Sequence, residues 1–312
     1  MSRHNELRKR FLSGSILFDG GLGTMLIAAG LQTGAAPEEW NLTRPDELRR
    51  IHASYLQAGS DVISTNTFGA TAARLASHGL GDRLRDINTA GVRLAGDAVA
   101  GFREGKHGVG SRDSLRPAGE KCIALSIGPT GKLLPPVGPA TEDEIRGEYL
   151  AQIESIDDDF DLVVVETIFD LREGVIALQT AKSLLPCPVA VSLTYEAKPR
   201  GFFTMMGNEA GDAVRELEAA GADIVGANCS ISSADMLRLA ALMRRSTDLP
   251  ILCQPNAGNP ALKNGLPVYE QRPQEFAGDA VRLLDMGINA VGGCCGTTPD
   301  FIRELSTRVN TS

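Results

Sequence analysis

The sequence has no run of about 18 apolar residues, the length needed for a membrane-spanning helix. Its charged first ten residues are not followed by an apolar segment with a cleavage site, as a secretory signal peptide would be. Lys and Arg number 31 against 39 Asp and Glu, whereas nucleic-acid binding needs clustered basic side chains. We therefore predict no membrane span, no nucleic-acid partner, and a ligand that is a small molecule or another protein.

Cysteine is also scarce. Six cysteines in 312 residues, without the spacing of a disulfide framework, predict a reducing, cytoplasmic location. The glycine pattern G-x-G-x-x-G, which follows the first strand of a dinucleotide-binding open sheet, is missing, because residues 19–24 read Asp-Gly-Gly-Leu-Gly-Thr. This absence argues against a doubly wound sheet, the main alternative among α/β folds.

The sequence does contain a regular alternation of apolar, strand-like runs with amphipathic helical stretches. The predicted strands cover residues 16–18, 61–64, 122–126, 162–165, 189–193, 224–227, 251–254 and 290–292. The predicted helices cover residues 46–58, 87–100, 142–156, 171–184, 210–220, 233–245, 274–286 and 300–309. Eight such β-α units predict a (β/α)8 TIM barrel, and the length fits a single domain over residues 1–312.

The connections that follow the predicted strands are longer than those that precede them. The long ones are residues 19–45, 128–141, 194–209 and 255–273. Barrel enzymes place their chemistry on these strand-to-helix loops. Residues 103–121 are the exception, since this polar stretch precedes the third strand; we predict a mobile surface insertion without a catalytic role.

Polar residues stand directly after most of the predicted strands, and a barrel brings them to one mouth. They are Asp19, Thr65, Asn66, Thr67, Thr130, Glu166, Thr167, Asn228, Gln254 and Asn256. Many strands end in such residues for capping alone, which is the simpler interpretation of Thr65 and Asn228. Glu166 directly continues an apolar strand, where a buried carboxylate needs a partner. Together with Asp19 it could hold an ammonium group.

Three cysteines share this predicted location. Cys229 follows the sixth strand, and Cys294 and Cys295 lie in the segment Val-Gly-Gly-Cys-Cys-Gly-Thr-Thr-Pro at residues 291–299. Structural zinc sites are closed by four protein ligands, so three thiolates fit a reactive zinc with one open position, one that binds a thiol substrate. A packing role is the alternative, and it is the one we predict for Cys122, Cys187 and Cys253.

Seven segments together resemble the homocysteine S-methyltransferase family, over residues 15–308. They are 18–24 (Phe-Asp-Gly-Gly-Leu-Gly-Thr), 59–68, 128–131 (Gly-Pro-Thr-Gly), 166–170 (Glu-Thr-Ile-Phe-Asp), 226–229 (Gly-Ala-Asn-Cys), 255–258 (Pro-Asn-Ala-Gly) and 292–299. The pairing of Asn-Cys with Gly-Gly-Cys-Cys-Gly is specific for this family. The similarity is greatest to the homocysteine-binding module of cobalamin-dependent methionine synthase.

The resemblance implies a zinc-dependent homocysteine S-methyltransferase that forms methionine. Cys229, Cys294 and Cys295 would bind the zinc, with the homocysteine sulfur as fourth ligand. Asp19 and Glu166 would face the substrate amino group. Main-chain amides around Gly23 and Thr24, with Thr67 nearby, would receive the substrate carboxylate.

The sequence indicates the methyl donor less clearly than the homocysteine site. None of the four histidines lies in the Asp-x-His-x-x-Gly signature of corrinoid sites, so we expect the methyl group from outside the chain, from a separate methyl-corrinoid protein. The alternative is a small methyl-onium donor, betaine or S-methylmethionine. The donor-side candidates are Trp40, by cation–π contact unless it serves packing, and Asn256.

Two other classes of function remain open at this stage. A different barrel enzyme could use Gly292-Gly293 and the start of the last helix to bind phosphate. The chain could instead be a non-enzymatic sensor of zinc or homocysteine, which would also use the cysteines. Such a sensor would not require both a carboxylate pair and an open zinc position.

Overall fold

The computed structural model describes residues 3–105, 120–263 and 266–311. The strands are β1 (Ile16–Leu17), β2 (Val62–Ser64), β3 (Cys122–Ile127), β4 (Leu162–Ile168), β5 (Val189–Leu193), β6 (Glu196–Lys198), β7 (Gly201–Phe203), β8 (Ile224–Ser232), β9 (Ile251–Asn256), β10 (Ala261–Lys263), β11 (Leu266–Val268) and β12 (Ala290–Val291). All eight predicted strands are present. Most of the predicted insertion at residues 103–121 lies outside the described residues.

Eight of these strands form one parallel sheet in the order β1-β12-β9-β8-β5-β4-β3-β2. The sheet closes on itself, because Phe18 and Val62 form a parallel bridge. The Asp61 amide donates to the Leu17 carbonyl at 2.6 Å, and the Asp19 amide donates to the Val62 carbonyl at 3.0 Å. This closed sheet with surrounding helices confirms the (β/α)8 barrel. The single-domain boundary stays a prediction.

The helices are α1 (Arg3–Ser13), α2 (Leu22–Ala28), α3 (Trp40–Thr43), α4 (Pro45–Ala58), α5 (Ala72–Ser77), α6 (Leu84–Arg103), α7 (Glu142–Glu154), α8 (Leu171–Leu184), α9 (Ala210–Ala219), α10 (Ser233–Ser246), α11 (Pro273–Asp285) and α12 (Pro299–Thr311). Local sequence sets several boundaries. Thr141 and Glu144 form a capping box at the start of α7. Gly59, with φ of 110°, ends α4 in the left-handed conformation that glycine adopts without a steric penalty. No helix of the described residues is long and apolar enough to cross a membrane.

Helix α1 closes the bottom of the barrel and was not predicted. Its Leu7 and Phe11 side chains are buried against the inward-facing residues of the strands. The rings of Phe11 and Phe18 lie 6.2 Å apart. Since β1 follows α1 directly, the helix covers the amino-terminal ends of the strands, and the opposite, carboxyl-terminal end carries the mouth.

The long loops at the mouth contain structure that was also not predicted. Helix α2, a short 3-10 helix (Pro37–Glu39) and α3 lie between β1 and α4. Two antiparallel hairpins, β6–β7 and β10–β11, follow β5 and β9. These pieces surround the ends of the strands and leave the polar residues there between them.

Candidate metal and substrate site

The three predicted cysteines meet at the mouth of the barrel. The sulfur atoms of Cys229, Cys294 and Cys295 all lie within 4.8 Å of one another, and the Cys229 and Cys295 sulfurs are 3.8 Å apart. All three residues are partly buried. Cys122, Cys187 and Cys253 are buried elsewhere, which fits the packing role predicted for them.

The local backbone explains how two strands can present three sulfurs together. Cys229 and Ser230 have φ of 59° and 50°, an uncommon conformation for residues other than glycine. The register between β8 and β9 shifts at the same point, between Asn228 and Ser232. On the other side, a Cβ at Gly293 would overlap the Thr297 side chain, so only glycine allows this close approach.

Thr297 links the segment that contains Cys294 and Cys295 to the loop after β1. Its hydroxyl donates to the Cys294 carbonyl at 2.6 Å and accepts from the Gly21 amide at 2.9 Å. Thr24 contributes a second link, because its hydroxyl oxygen accepts from the Gly296 amide at 2.9 Å. The beginning of α2 and the cysteine segment therefore form one connected unit.

The electrostatics of the cluster favour a cation among the sulfurs. Hydrogen bonds from the Cys229 and Cys294 thiols lower the pKa of Cys295 to about 3. Hydrogen bonding to Cys229 and Cys295, together with burial, raises the pKa of Cys294 well above its usual range. One sulfur thus ionises readily, and its negative charge opposes ionisation of the next. A bound divalent cation would remove this conflict, because a coordinating thiol is deprotonated outright.

Two carboxylates lie beside the cysteines. Asp19, only 1% exposed, accepts hydrogen bonds from the Ser64 amide at 2.7 Å and the Ser64 hydroxyl at 3.0 Å. Glu166 accepts from the Ser126 hydroxyl at 2.5 Å. In the part of the chain that the structure describes, neither carboxylate forms an ion pair with a basic side chain of the protein.

Burial therefore makes these carboxylates difficult to ionise. Burial raises the pKa of Asp19 to about 7, with a further contribution from the negative charge of Glu166. Burial also raises the pKa of Glu166 to about 6, and the charge of Cys295 adds to the effect. Such a pair favours a ligand that brings its own positive charge.

Thr67 lies beneath this site. Its hydroxyl donates to the Ser126 carbonyl at 2.7 Å and is 2.6 Å from the Thr65 hydroxyl. Thr65 accepts from the Ser126 amide at 3.0 Å. The two threonines hold Ser126, which in turn contacts Glu166, so Thr67 supports the carboxylate from below.

The first turn of α2 is open to the mouth. Gly23 is exposed, and a Cβ added to it would meet nothing within 4 Å. Gly21 caps the helix without a side-chain hydrogen bond. The first amides of a helix have no acceptor within the helix, so those around Gly23 and Thr24 can bind an anionic group.

The two donor-side candidates have different surroundings. Trp40 is buried among the side chains of α4 and α6, and the Arg44 guanidinium lies 4.7 Å from its ring centroid. This arrangement matches the packing alternative. Asn256 ends β9, and its side-chain oxygen is buried with no hydrogen-bond partner among the described residues.

Sequence reasoning missed three site residues. Ser64 and Ser126 lie at or near the ends of β2 and β3, and the rule that finds polar residues at strand ends could have found them. Tyr269 carried no signal. It follows the β10–β11 hairpin, its ring lies against Gly296, and, after Cys229 and Cys294, it contributes to the lowered pKa of Cys295.

A TIM barrel with three clustered thiols and two buried carboxylates at its carboxyl-terminal mouth has the arrangement of a barrel enzyme, whose chemistry lies on the strand-to-helix loops. The sequence matches the family model described as homocysteine S-methyltransferase over residues 16–309. The chain belongs to this family of methyltransferase enzymes.

Two curated relatives are methionine synthases. The protein of Mycobacterium tuberculosis is 33% identical over 304 residues, and that of Mycobacterium leprae is 32% identical over 305 residues. Each match covers 93% of this chain but only 24% of the relative, so the chain spans about a quarter of their length.

Solved structures support the fold. The homocysteine methyltransferase MmuM from Escherichia coli, in a metallated form, superimposes with a TM-score of 0.78 at 22% sequence identity. The alignment covers 98% of this chain and all of MmuM. The oxidized form of MmuM superimposes with a TM-score of 0.76 at 21% identity, over 94% of this chain and 95% of MmuM.

Proposed function

We propose that this chain is a zinc-dependent homocysteine S-methyltransferase that forms methionine. The observation that carries the proposal is the cluster of Cys229, Cys294 and Cys295 sulfurs within 4.8 Å of one another. Beside it lies a buried carboxylate pair that has no basic partner among the described residues. The cluster suits a thiol-binding metal, and the pair suits an amino group. An α-amino acid with a thiol satisfies both.

The donor set supports zinc. Thiolates select soft or borderline metals, and three protein ligands leave one position for a substrate. When bound, zinc would deprotonate the homocysteine thiol, which otherwise titrates near pH 8.5. The cysteines hold this position at the mouth, where the substrate sulfur faces the methyl donor.

The remaining residues orient the amino acid. Asp19 and Glu166 bind the ammonium group, and the amides around Gly23 and Thr24 bind the carboxylate. Thr67 and Ser126 keep Glu166 in place. With both ends of the amino acid fixed, the thiol is confined to one direction, as a near-attack arrangement requires.

We infer further that the methyl group comes from outside the chain, from a separate methyl-corrinoid protein. The loops at the mouth expose three large apolar side chains, Ile27, Val137 and Met205, at 57%, 58% and 71%. Exposed apolar groups at one face suit a large partner. The match to one quarter of two methionine synthases agrees with a module that works beside others. Asn256, which ends β9 at this face, stays our donor-side candidate.

A donor panel tests the proposal. Reduced, zinc-loaded protein is mixed with homocysteine and labelled methylcobalamin, methyltetrahydrofolate, betaine or S-methylmethionine, and labelled methionine is measured. We expect slow transfer from free methylcobalamin and none from methyltetrahydrofolate alone. Efficient transfer from betaine or S-methylmethionine without any from methylcobalamin would replace the corrinoid donor with a small one. Binding of homocysteine without transfer from any donor would favour a sensor.

A further inference from the structure

The side chain of Asn228 lies between Glu166 and the cysteines, and both ends of its carboxamide are bonded. It is buried in β8, immediately before Cys229. Its oxygen accepts from the Thr167 amide at 2.9 Å and from the Ser192 hydroxyl at 2.8 Å. Because the Thr167 amide can only donate, the atom facing it must be the carboxamide oxygen, and the orientation of the amide follows.

The nitrogen of the same side chain makes the other two contacts. It donates to the Thr167 hydroxyl at 2.7 Å and points to the Cys294 sulfur at 4.0 Å, a long N–H···S contact. One carboxamide therefore links β4, β5, β8 and the cysteine segment after β12.

The partner of Asn228 on β4 is strained. Thr167 has φ of 60°, which is unfavourable for a β-branched residue and persists only where the surroundings hold it. The register between β4 and β5 shifts here, between Val165 and Ile168. Asn228 holds Thr167 at two atoms, its amide and its hydroxyl. Glu166 precedes Thr167 directly, so the direction of its carboxylate depends on this turn.

We propose that Asn228 is a positioning residue that couples amino-group recognition by Glu166 to the metal ligand Cys294. The role in amino-group recognition rests on the proposed function, whereas the contacts of Asn228 are given by the geometry alone. Hydrogen bonds to metal ligands orient them and adjust their charge, and their loss costs about 10- to 100-fold in metal affinity in other proteins. The Asn228 side chain also holds Thr167, directly after Glu166, in its strained backbone conformation.

The test compares Asn228→Ala with Asn289→Ala. Asn289 is a matched control at the opposite end of the barrel, where its carboxamide also bridges elements, accepting from the Ile251 amide at 3.0 Å and donating to the Phe11 carbonyl at 3.0 Å. Metal affinity is measured by competition with a chromophoric chelator, using zinc and cobalt(II). The sulfur-to-cobalt charge-transfer band reports on the ligands themselves.

We expect Asn228→Ala to lower metal affinity by about 10-fold or more and to shift the cobalt band. It should also reduce the preference for homocysteine over 4-mercaptobutanoate, which lacks the amino group. Asn289→Ala should lower thermal stability and leave both properties unchanged. If Asn228→Ala changes stability alone, Asn228 is merely structural and the proposal is wrong.

A second variant covers the case in which Asn228→Ala does not fold. Thr167→Val keeps the shape of the side chain and removes the hydroxyl that Asn228 holds. We expect Thr167→Val to reduce the preference for homocysteine over 4-mercaptobutanoate. An unchanged preference would contradict the proposed coupling between Asn228 and Glu166. If the unmodified protein binds metal but neither thiol, the proposed function fails, while the chelator comparison still decides whether Asn228 supports Cys294.

Discussion

The sulfurs of Cys229 and Cys295 lie 3.8 Å apart, although 66 positions separate the two residues in the sequence. Neighbouring strands of a barrel make this possible, since β8, β9 and β12 are adjacent in the sheet. Cys229 lies near the carboxyl end of β8, and Cys295 follows β12. The intervening β9 supports the arrangement, because the Ala257 amide donates to the Cys295 carbonyl at 2.9 Å.

The first prediction concerns metal content. Reduced protein should contain about one zinc per chain, and the double variant Cys294→Ser, Cys295→Ser should contain none, because serine is a poor zinc ligand. Metal is measured by plasma mass spectrometry after dialysis. The control is Cys253→Ser, at a buried cysteine away from the cluster, which should retain zinc. Zinc in the double variant would contradict the assignment.

The second prediction concerns Asp19 and pH. Because burial raises its pKa from 3.8 to about 7, the folded state keeps a proton that the unfolded state has lost. Stability from this group is present below about pH 4 and is lost as the pH rises toward 7. Asp19→Asn keeps an acceptor for the Ser64 amide and does not titrate.

The wild type should therefore lose stability relative to Asp19→Asn between pH 4 and pH 8, by up to about 4 kcal/mol at about 1.4 kcal/mol per pKa unit. Urea unfolding of the reduced, metal-free proteins at several pH values gives the difference. A gap that does not change with pH would show that Asp19 ionises normally.

The third prediction concerns the substrate amino group. Glu166→Gln should reduce the preference for homocysteine over 4-mercaptobutanoate by about 10- to 100-fold, since a hydrogen bond to a charged group contributes about 1.5–3 kcal/mol. Dissociation constants from calorimetry check this. Glu173→Gln is the matched control, because Glu173 is also buried but binds the Thr130 amide and the Tyr149 hydroxyl within the protein. A loss of preference in the control, or none in Glu166→Gln, would remove Glu166 from this role.

The fourth prediction concerns the glycine before the cysteine pair. Gly293→Ala should destabilise the protein by about 1–3 kcal/mol, because the added methyl group meets the Thr297 side chain in a closely packed region. Gly147→Ala is the control in helix α7, where a Cβ would meet nothing within 4 Å, and it should be neutral or stabilising. Unfolding in urea compares the two variants. Equal stability would mean that the cysteine segment is less tightly packed than described.

Sequence patterns anticipated the barrel because each strand is a short apolar run. The run Leu-Val-Val-Val at the start of β4 is typical of a strand buried on both faces, and the predicted residues 189–193 match β5 as observed. Helix α1 was missed because it is mostly polar, and its burial depends on Leu7 and Phe11. The helix covers the amino-terminal ends of the strands, and this role depends on the closed barrel against which it packs.

Part of the candidate site could likewise be predicted from the sequence, and part could not. The cysteines and carboxylates stand at strand ends, so the fold alone predicts that they meet. The hydrogen bonds of Asn228 depend on side-chain orientation. The position of Tyr269 beside Cys295 depends on the hairpin after β9. No residue spacing in the sequence predicts either arrangement. The place of Thr67 near the substrate carboxylate stays a prediction, and the hydrogen bond from its hydroxyl to the Ser126 carbonyl is a further contact that the sequence did not indicate.

The most direct test of zinc-dependent homocysteine binding is X-ray absorption at the zinc edge, with and without homocysteine. We predict three sulfur ligands in the free protein, from Cys229, Cys294 and Cys295, and a fourth sulfur when homocysteine is added. Four sulfurs before addition, or no change in sulfur number after it, would contradict the account.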